Sequence, residues 1–358
     1  MTRPWPELSR PIEGYFLEDF EVDRVFRHAT PRTVTSGDVS TYIALTGARN
    51  PVHCSEPLAR SLGYPSCPVD DLLVFNIAFG KTVPDVSYNA VANLGYADVR
   101  FRSPVYVGDT LSCESRVIGV KENSSGQAGV VYVSSTAVNQ QGVEVLGWDR
   151  WVMVAKRPGA KAPATAIPPL ADEVPPSEYN VPRFLQAAAM DHEHTGSARL
   201  WDDYAPGDVI DHPGGMTVEE ADHMLATRLY QNTARIHFDA HLAQGNAFKR
   251  RLVYGGHVIS LCRSLSYDGL ENAFAIAAIH GGGHANPTFA GDTIYCRHVV
   301  VGREKLPGRN DVGALRLRMI GAKNVNLGKL PDLGPGEKND AVVLELDYSV
   351  LIARRQNP

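Results

Sequence analysis

Two histidines stand in short segments whose residue types suit acid–base chemistry. His53 closes YIALTGARNPVH at 42–53, and His237 closes NTARIH at 232–237. An imidazole titrates near neutral pH, so either could take and return a proton, although a histidine met alone is more often structural. Each segment also carries a carboxamide, Asn50 or Asn232, and an arginine, Arg49 or Arg235. Most arginines are simply solvated. Gly255 and Gly256 stand just before an apolar stretch, HVISLCRSLS at 257–266. The first N–H groups of a helix lack intrahelical acceptors and its dipole favours negative charge, so glycines there would let an anionic oxygen approach the backbone. The plainer reading is a tight turn. Asp70 and Asp71 open a second apolar stretch, DDLLVFNIAF at 70–79, where a carboxylate would ordinarily stabilise a helix start.

Other motifs exclude chemistry. HGGGH at 280–284 has no carboxylate or cysteine at ligand spacing beside it, so it suits a loop or bulge near a ligand better than a metal site. DHEH at 191–194 reads as a solvated turn. There is no phosphate-binding glycine loop of either common type and no G-x-S-x-G elbow. Five cysteines, an odd number with no C-x-x-C pair, argue against a disulfide framework and a zinc site, and point to a reducing cytoplasm with most thiols buried as small hydrophobes. No metal and no cofactor is expected. The net charge of −5 is spread along the chain, so nucleic acid is not an expected partner. The N-terminal stretch at 1–16 lacks the apolar run of a secretory leader, and no run of 18 apolar residues predicts a membrane span.

The elements that must position these residues occur twice. PVYVGDTL at 104–111 pairs with PTFAGDTI at 287–294, an offset of 183 residues; TSGD at 35–38 pairs with TVEE at 217–220, an offset of 182; His53 pairs with His237, an offset of 184. Landmarks in the same order at nearly one offset mark two copies of a whole module. Thr217 with Glu220 predicts a capping box at a helix start, and Thr35 with Asp38 a weaker one. A buried helix follows in each copy, about 70–79, closed by Gly80, and 257–266; both are apolar nearly all round. Alternating strands come next: 129–139 and 145–156 in the first copy, 293–302, 314–324 and 341–354 in the second. Each GDT falls at a turn before a long strand. The Pro- and Ala-rich segment 156–183 predicts an extended linker between modules spanning 1–155 and 184–358. The fold class is therefore α+β: two antiparallel sheets, each wrapped around a central helix and joined edge to edge so that exposed edges are hidden.

The segment at 42–53 resembles the active segment of the MaoC-like hydratases, roughly Tyr-x-x-Leu-Thr-Gly-Asp-x-Asn-Pro-x-His. Tyr42, Leu45, Thr46, Gly47, Asn50, Pro51 and His53 match, and Ala48 stands at the catalytic aspartate. In the second copy His237 matches the histidine, Asn232 replaces the aspartate and Ala234 the asparagine. The stretches at 69–101, 227–239, 251–266 and 286–300 resemble the branch of that family that hydrates mesaconyl-CoA to β-methylmalyl-CoA, and the resemblance covers almost the whole chain outside the linker. It implies a double hot-dog, a CoA thioester as substrate rather than cofactor, no metal, and reversible addition of water to a branched dicarboxylic enoyl thioester. It also implies His237 as general base with Asn232 holding the water or thioester, and the free N–H groups of a helix start would let Gly255 and Gly256 receive the thioester oxygen. The rival set is His53 with Asn50, where Asp70 or Asp71 would supply the missing carboxylate. Arg235 or Arg49 would meet the substrate's free carboxylate. Hot-dog sheets often pair by their edges, so a homo-oligomer, simplest as a homodimer, is expected. Alternatives are a hot-dog acyl-CoA thioesterase and a non-catalytic acyl-CoA-binding protein.

Overall fold

A computed structural model describes residues 10–356; most of the stretch judged free of a secretory leader lies outside the described residues. Two core helices, Asp71–Thr82 and Gly255–Leu265, each precede four long strands. Short β1 (Val25–Arg27) and β2 (Arg32–Thr33) come before the first helix, and β3 (Ala90–Phe101), β4 (Thr110–Glu122), β5 (Ala128–Val138) and β6 (Glu144–Ala155) after it. β7 (Val209–Thr217) comes before the second helix, and β8 (Ala273–Gly283), β9 (Thr293–Lys305), β10 (Val312–Lys323) and β11 (Val342–Ala353) after it. All pair antiparallel in the order β1-β4-β5-β6-β3-β8-β11-β10-β9-β7, with β2 on β4. The seam is β3 against β8, from Tyr96 opposite Gly282 to Arg100 opposite Ala278. Each half thus covers an edge strand of the other, the double hot-dog arrangement, and removes unpaired backbone groups that would otherwise invite aggregation.

Strand alternation places one face inward. In β6 the residues Trp148, Arg150, Val152 and Val154 are all buried, and only Arg150 among them is charged. The first core helix is buried from Leu72 to Thr82, as a helix apolar all round must be. Asp70 caps it by accepting from Leu72 N at 2.9 Å.

Three sequence expectations need correction here. Gly80 does not close the first helix, which runs on to Thr82 and into a π turn, Val83–Ser87. A Cβ on Gly80 would collide with the carbonyl of Tyr230, so the glycine serves a close crossing of backbones rather than a helix end. Gly255 and Gly256 are the first turn of the second core helix, not a turn before it. Gly256 lies against Asn76 of the first helix, where a Cβ would overlap Asn76 Oδ1, and Asn76 Nδ2 donates to Ser260 Oγ at 3.0 Å. The capping boxes are reversed in rank: Thr35 and Asp38 form a full reciprocal box at Ser36–Thr46, whereas Thr217 ends β7 and bonds Thr293 across the sheet. Val34 and Val218 make matching backbone bonds, to Asp109 and Asp292, so the true offset here is 184 and the counterpart of Thr35 is Glu219. Glu219 occupies the N-cap without a side-chain cap bond. The segment after β6 runs largely extended, bridging Val120 at Ala166 and donating from Val174 N to His280 Nδ1.

Candidate active site

The two histidine segments are held by the same local geometry. His53 Nδ1 lies 3.0 Å from the carbonyl of Pro68, and His237 Nδ1 lies 3.0 Å from the carbonyl of Leu252. A carbonyl only accepts, so Nδ1 carries the proton in each ring and Nε2 keeps its lone pair, as a base requires. Carrying the offset of 184 forward, Asp71 is the counterpart of Gly255, and both begin a core helix.

The surroundings differ. Around His53 the space is about 20 Å³, lined by Asn50, Asp70, Asp71, Arg263 and Tyr267 among others, room for about one water. Asn50 is committed to structure: its Oδ1 accepts from Val52 N and its Nδ2 donates to the Ala273 carbonyl in the other half. Asp71 accepts from Ile276 N at 2.7 Å, and burial pushes its carboxyl up to about 6. Tyr42 donates to Asp70 at 3.3 Å. Arg49 pairs with Asp268 at 2.5 Å and covers the ring of Tyr267, outside the larger cavity.

His237 opens instead on a cavity of about 680 Å³, within the range of small-molecule sites. Asn232, Arg235, Gly255 and His284 line it with apolar and aromatic neighbours, and among the described residues no aspartate or glutamate does. Asn232 is buried, its Oδ1 accepting from Ala234 N at 3.0 Å, which leaves the amide Nδ2 as its donor. Arg235 is exposed and covers the ring of Tyr88 at 4.9 Å. Gly256 lies one residue deeper and packs on Asn76 rather than lining the cavity. Burial lowers His237 to about 4, so its imidazole is neutral at physiological pH.

Sequence reasoning missed His284. Its Nε2 sits so close to Gly255 that any Cβ there would collide with it, and it lies 3.3 Å from Tyr96 Oη. Burial and the neighbouring His237 lower His284 to about 4 as well. The HGGGH run explains itself in place. His280 is buried and bonded to Val174 N and Ser349 Oγ, the glycines let the seam strand pack between β3 and β11, and His284 ends in the cavity. Tyr254, one residue before Gly255, places its ring 5.7 Å from that of His237.

Two further clusters lie elsewhere. Asp85, His28 and Ser115 form a row with bonds of 2.7 and 2.8 Å, in the order of a nucleophile triad. Ser115 is fully buried and bonded to Ser135, and neither cavity includes it, so the row has no access to a thioester. His212, Cys296 and His298 come within metal-ligand distance of one another, a grouping the cysteine spacing did not suggest. Their nitrogens are satisfied without an ion: His212 Nδ1 bonds the Asp268 carbonyl, its Nε2 pairs with His298 Nδ1 at 2.7 Å, and His298 Nε2 bonds Tyr348 Oη. All five cysteines are free.

Residues 19–139 match the MaoC like domain. Over 344 residues the chain is 53% identical to the beta-methylmalyl-CoA dehydratase of Chloroflexus aurantiacus, covering 96% of this chain and 98% of that protein. The chain belongs to the MaoC-like dehydratase family. It is also 48% identical to the mesaconyl-CoA hydratase of Cereibacter sphaeroides, over 95% of this chain and 98% of that one. A crystal structure of a putative MaoC domain protein dehydratase from Chloroflexus aurantiacus superposes with a TM-score of 0.94 at 52% identity, covering 98% of this chain and 100% of that one. A double hotdog protein of Mycobacterium tuberculosis, 22% identical over 96% of this chain and 100% of its own, shares the fold with a TM-score of 0.76.

Proposed function

We propose that this MaoC-like protein is a hydro-lyase that adds water reversibly to an enoyl-CoA thioester, with mesaconyl-CoA as substrate and β-methylmalyl-CoA as product. The observation that carries the reading is a neutral His237, its Nε2 lone pair free, on a large cavity at the glycine-headed start of a buried helix. The names of the two relatives, 53% and 48% identical over nearly their whole length, point to the same reaction.

In this mechanism His237 Nε2 takes a proton from water as the oxygen bonds to the β-carbon. Charge then moves to the thioester oxygen. The first N–H groups of the second core helix receive it at Gly255, where donors without helical acceptors and the helix dipole both favour an enolate. The proton carried by His237 is returned to the α-carbon, so atoms and charge balance and the imidazole is regenerated. Asn232 donates from Nδ2 to the water or thioester and cannot act as a base. His284, fixed against Gly255 and Tyr96, holds the thioester between the helix start and His237.

The reading also has the protein working in the reducing cytoplasm, in keeping with five unpaired thiols, and as a homo-oligomer joined through the outer strands. Among the described residues no helix is long and apolar enough to cross a membrane.

The test is the ultraviolet absorbance of the enoyl thioester. Mesaconyl-CoA should lose absorbance without release of free thiol, and His237→Ala should abolish the change while His53→Ala retains it. Thiol release would instead mark a thioesterase, and unchanged absorbance with saturable binding would mark a binding protein.

A further inference from the structure

Arg150 is the one charged residue on the inward face of β6 between Trp148 and Val154, and it is 1% exposed. Its guanidinium bonds two neutral hydroxyls, Thr82 Oγ1 at 2.9 Å and Ser87 Oγ at 3.4 Å. Nε has no partner, and none of the ion pairs among the described residues involves Arg150. Buried charges are ordinarily paired, because leaving one unpaired forfeits its hydration with nothing in return. Burial lowers this guanidinium to about 10, so it remains a cation at neutral pH. It lines the same cavity as His237, where no carboxylate among the described residues neutralises it.

The neighbours are also short of partners. Among the described residues the Asn93 amide, on β3 opposite Val152 of β6, has no partner for its nitrogen or oxygen, and Tyr254 Oη has none either. The guanidinium covers the Phe79 ring at 4.3 Å; that ring lies 5.8 Å from Tyr254, which in turn lies 5.7 Å from His237. Two aromatic side chains, Phe79 and Tyr254, therefore stand in a row between the cation and the base. In a mesaconyl thioester the free carboxylate sits on the carbon that water attacks, so cation and base must face one space, and both line this cavity.

We infer that Arg150 receives the free carboxylate of a dicarboxylic enoyl thioester, with Asn93 and Tyr254 as neutral donors beside it, and that this contact selects such substrates over plain enoyl thioesters. The inference rests on the hydratase reading above and replaces Arg235 and Arg49 in this role. Arg235 stays exposed over Tyr88, and Arg49 is already paired with Asp268. Arg150 is a specificity residue: its fork fits a carboxylate in two bonds, which a lysine cannot copy.

The experiment measures binding rather than turnover. Isothermal titration of the full chain compares 2-methylsuccinyl-CoA with 2-methylbutyryl-CoA, saturated thioesters that cannot be hydrated and differ in the carboxylate. A charge-assisted, desolvated contact predicts a preference of about 30-fold or more for the dicarboxylic ligand. Arg150→Met should shrink that ratio to within about threefold and leave 2-methylbutyryl-CoA binding nearly unchanged, with Arg150→Lys between the two. Equal binding of both ligands by the unaltered protein overturns the inference. So does an equal loss for both ligands in Arg150→Met, which marks a structural role. Should Arg150→Met not fold, Arg150→Lys decides: a reduced ratio supports the inference, and an unchanged ratio overturns it. Because no turnover is needed, failure to hydrate mesaconyl-CoA would sink the hydratase reading and leave this result readable.

Discussion

His53 and His237 donate Nδ1–H to a backbone carbonyl fifteen residues downstream, each at 3.0 Å, and each precedes a core helix. Around His237 the helix begins with Gly255 and opens on about 680 Å³; around His53 it begins with Asp71 and leaves about 20 Å³. One carboxylate also changes the chemistry of the helix start. At the position where Gly255 offers backbone donors, Asp71 presents oxygens, already bonded to Ile276 N of the other half. An enolate arriving there would meet negative charge instead of N–H groups. The two halves thus share the geometry of the imidazole and differ in the groups that face it, and the space around His53 is tied to the other half by Asn50 and Asp71.

The largest expected effect that tests this contrast is on turnover. His237→Ala should lower kcat by about 10³-fold, within the range for loss of a general base, and His53→Ala by less than about threefold. Comparable losses in both would end the asymmetry. Gly255→Ala should cost about 10²-fold, because the added Cβ collides with His284 and misplaces the groups around the thioester oxygen; a circular-dichroism melt checks that the fold survives. Full activity in that variant would remove the helix start from the mechanism.

Smaller effects concern protonation. His257, His280 and His284 are lowered to about 4 by burial, against about 6.5 when unfolded. The unfolded chain therefore binds more protons between those values. The stability these groups allow is complete above about pH 6.5 and is lost as pH falls toward 4, on the order of 1 kcal/mol or more per fully buried imidazole by pH 5. Denaturant midpoints at pH 7 and pH 5 check this, and His257→Gln should flatten the slope. Activity should follow a different curve. With His237 near 4, kcat/KM should hold steady from pH 8 down to about 5, where an ordinary imidazole would already be mostly protonated.

The smallest effect is beside His53. Asp71, raised to about 6 by burial against an unfolded value near 3.9, binds more protons folded than unfolded between those values, so its contribution to stability falls as pH rises from 4 through 6. Asp71→Asn keeps an acceptor for Ile276 N without the charge. It should stabilise the protein by about 1 kcal/mol at pH 8 and leave stability unchanged below pH 4, again read from denaturant midpoints. A loss of stability at pH 8 would show that the charge itself holds the seam.

Much of this molecule was legible in one dimension. Two GDT turns at an offset of 183, strands of period two and helices apolar all round determined a duplicated α+β module, because local periodicity decides which faces must be buried. The segments around His53 and His237 pointed to both candidate sites. Arg150 carried a readable signal, a charge at the inward parity of Trp148 and Val152, and His284 ended a glycine run suited to a strand with close neighbours. Neither could be given a role from spacing alone. His284 meets Gly255 only because the chain returns along β8, 29 residues later, and Arg150 reaches the second half's cavity only because β3 and β8 join the two sheets. Sequence determined which residues could carry a proton or a charge. Tertiary structure alone decided which of two matching imidazoles faces open space, because that depends on contacts between the halves, such as Asp71 to Ile276 and Asn50 to Ala273, that lie more than 200 residues apart in the chain.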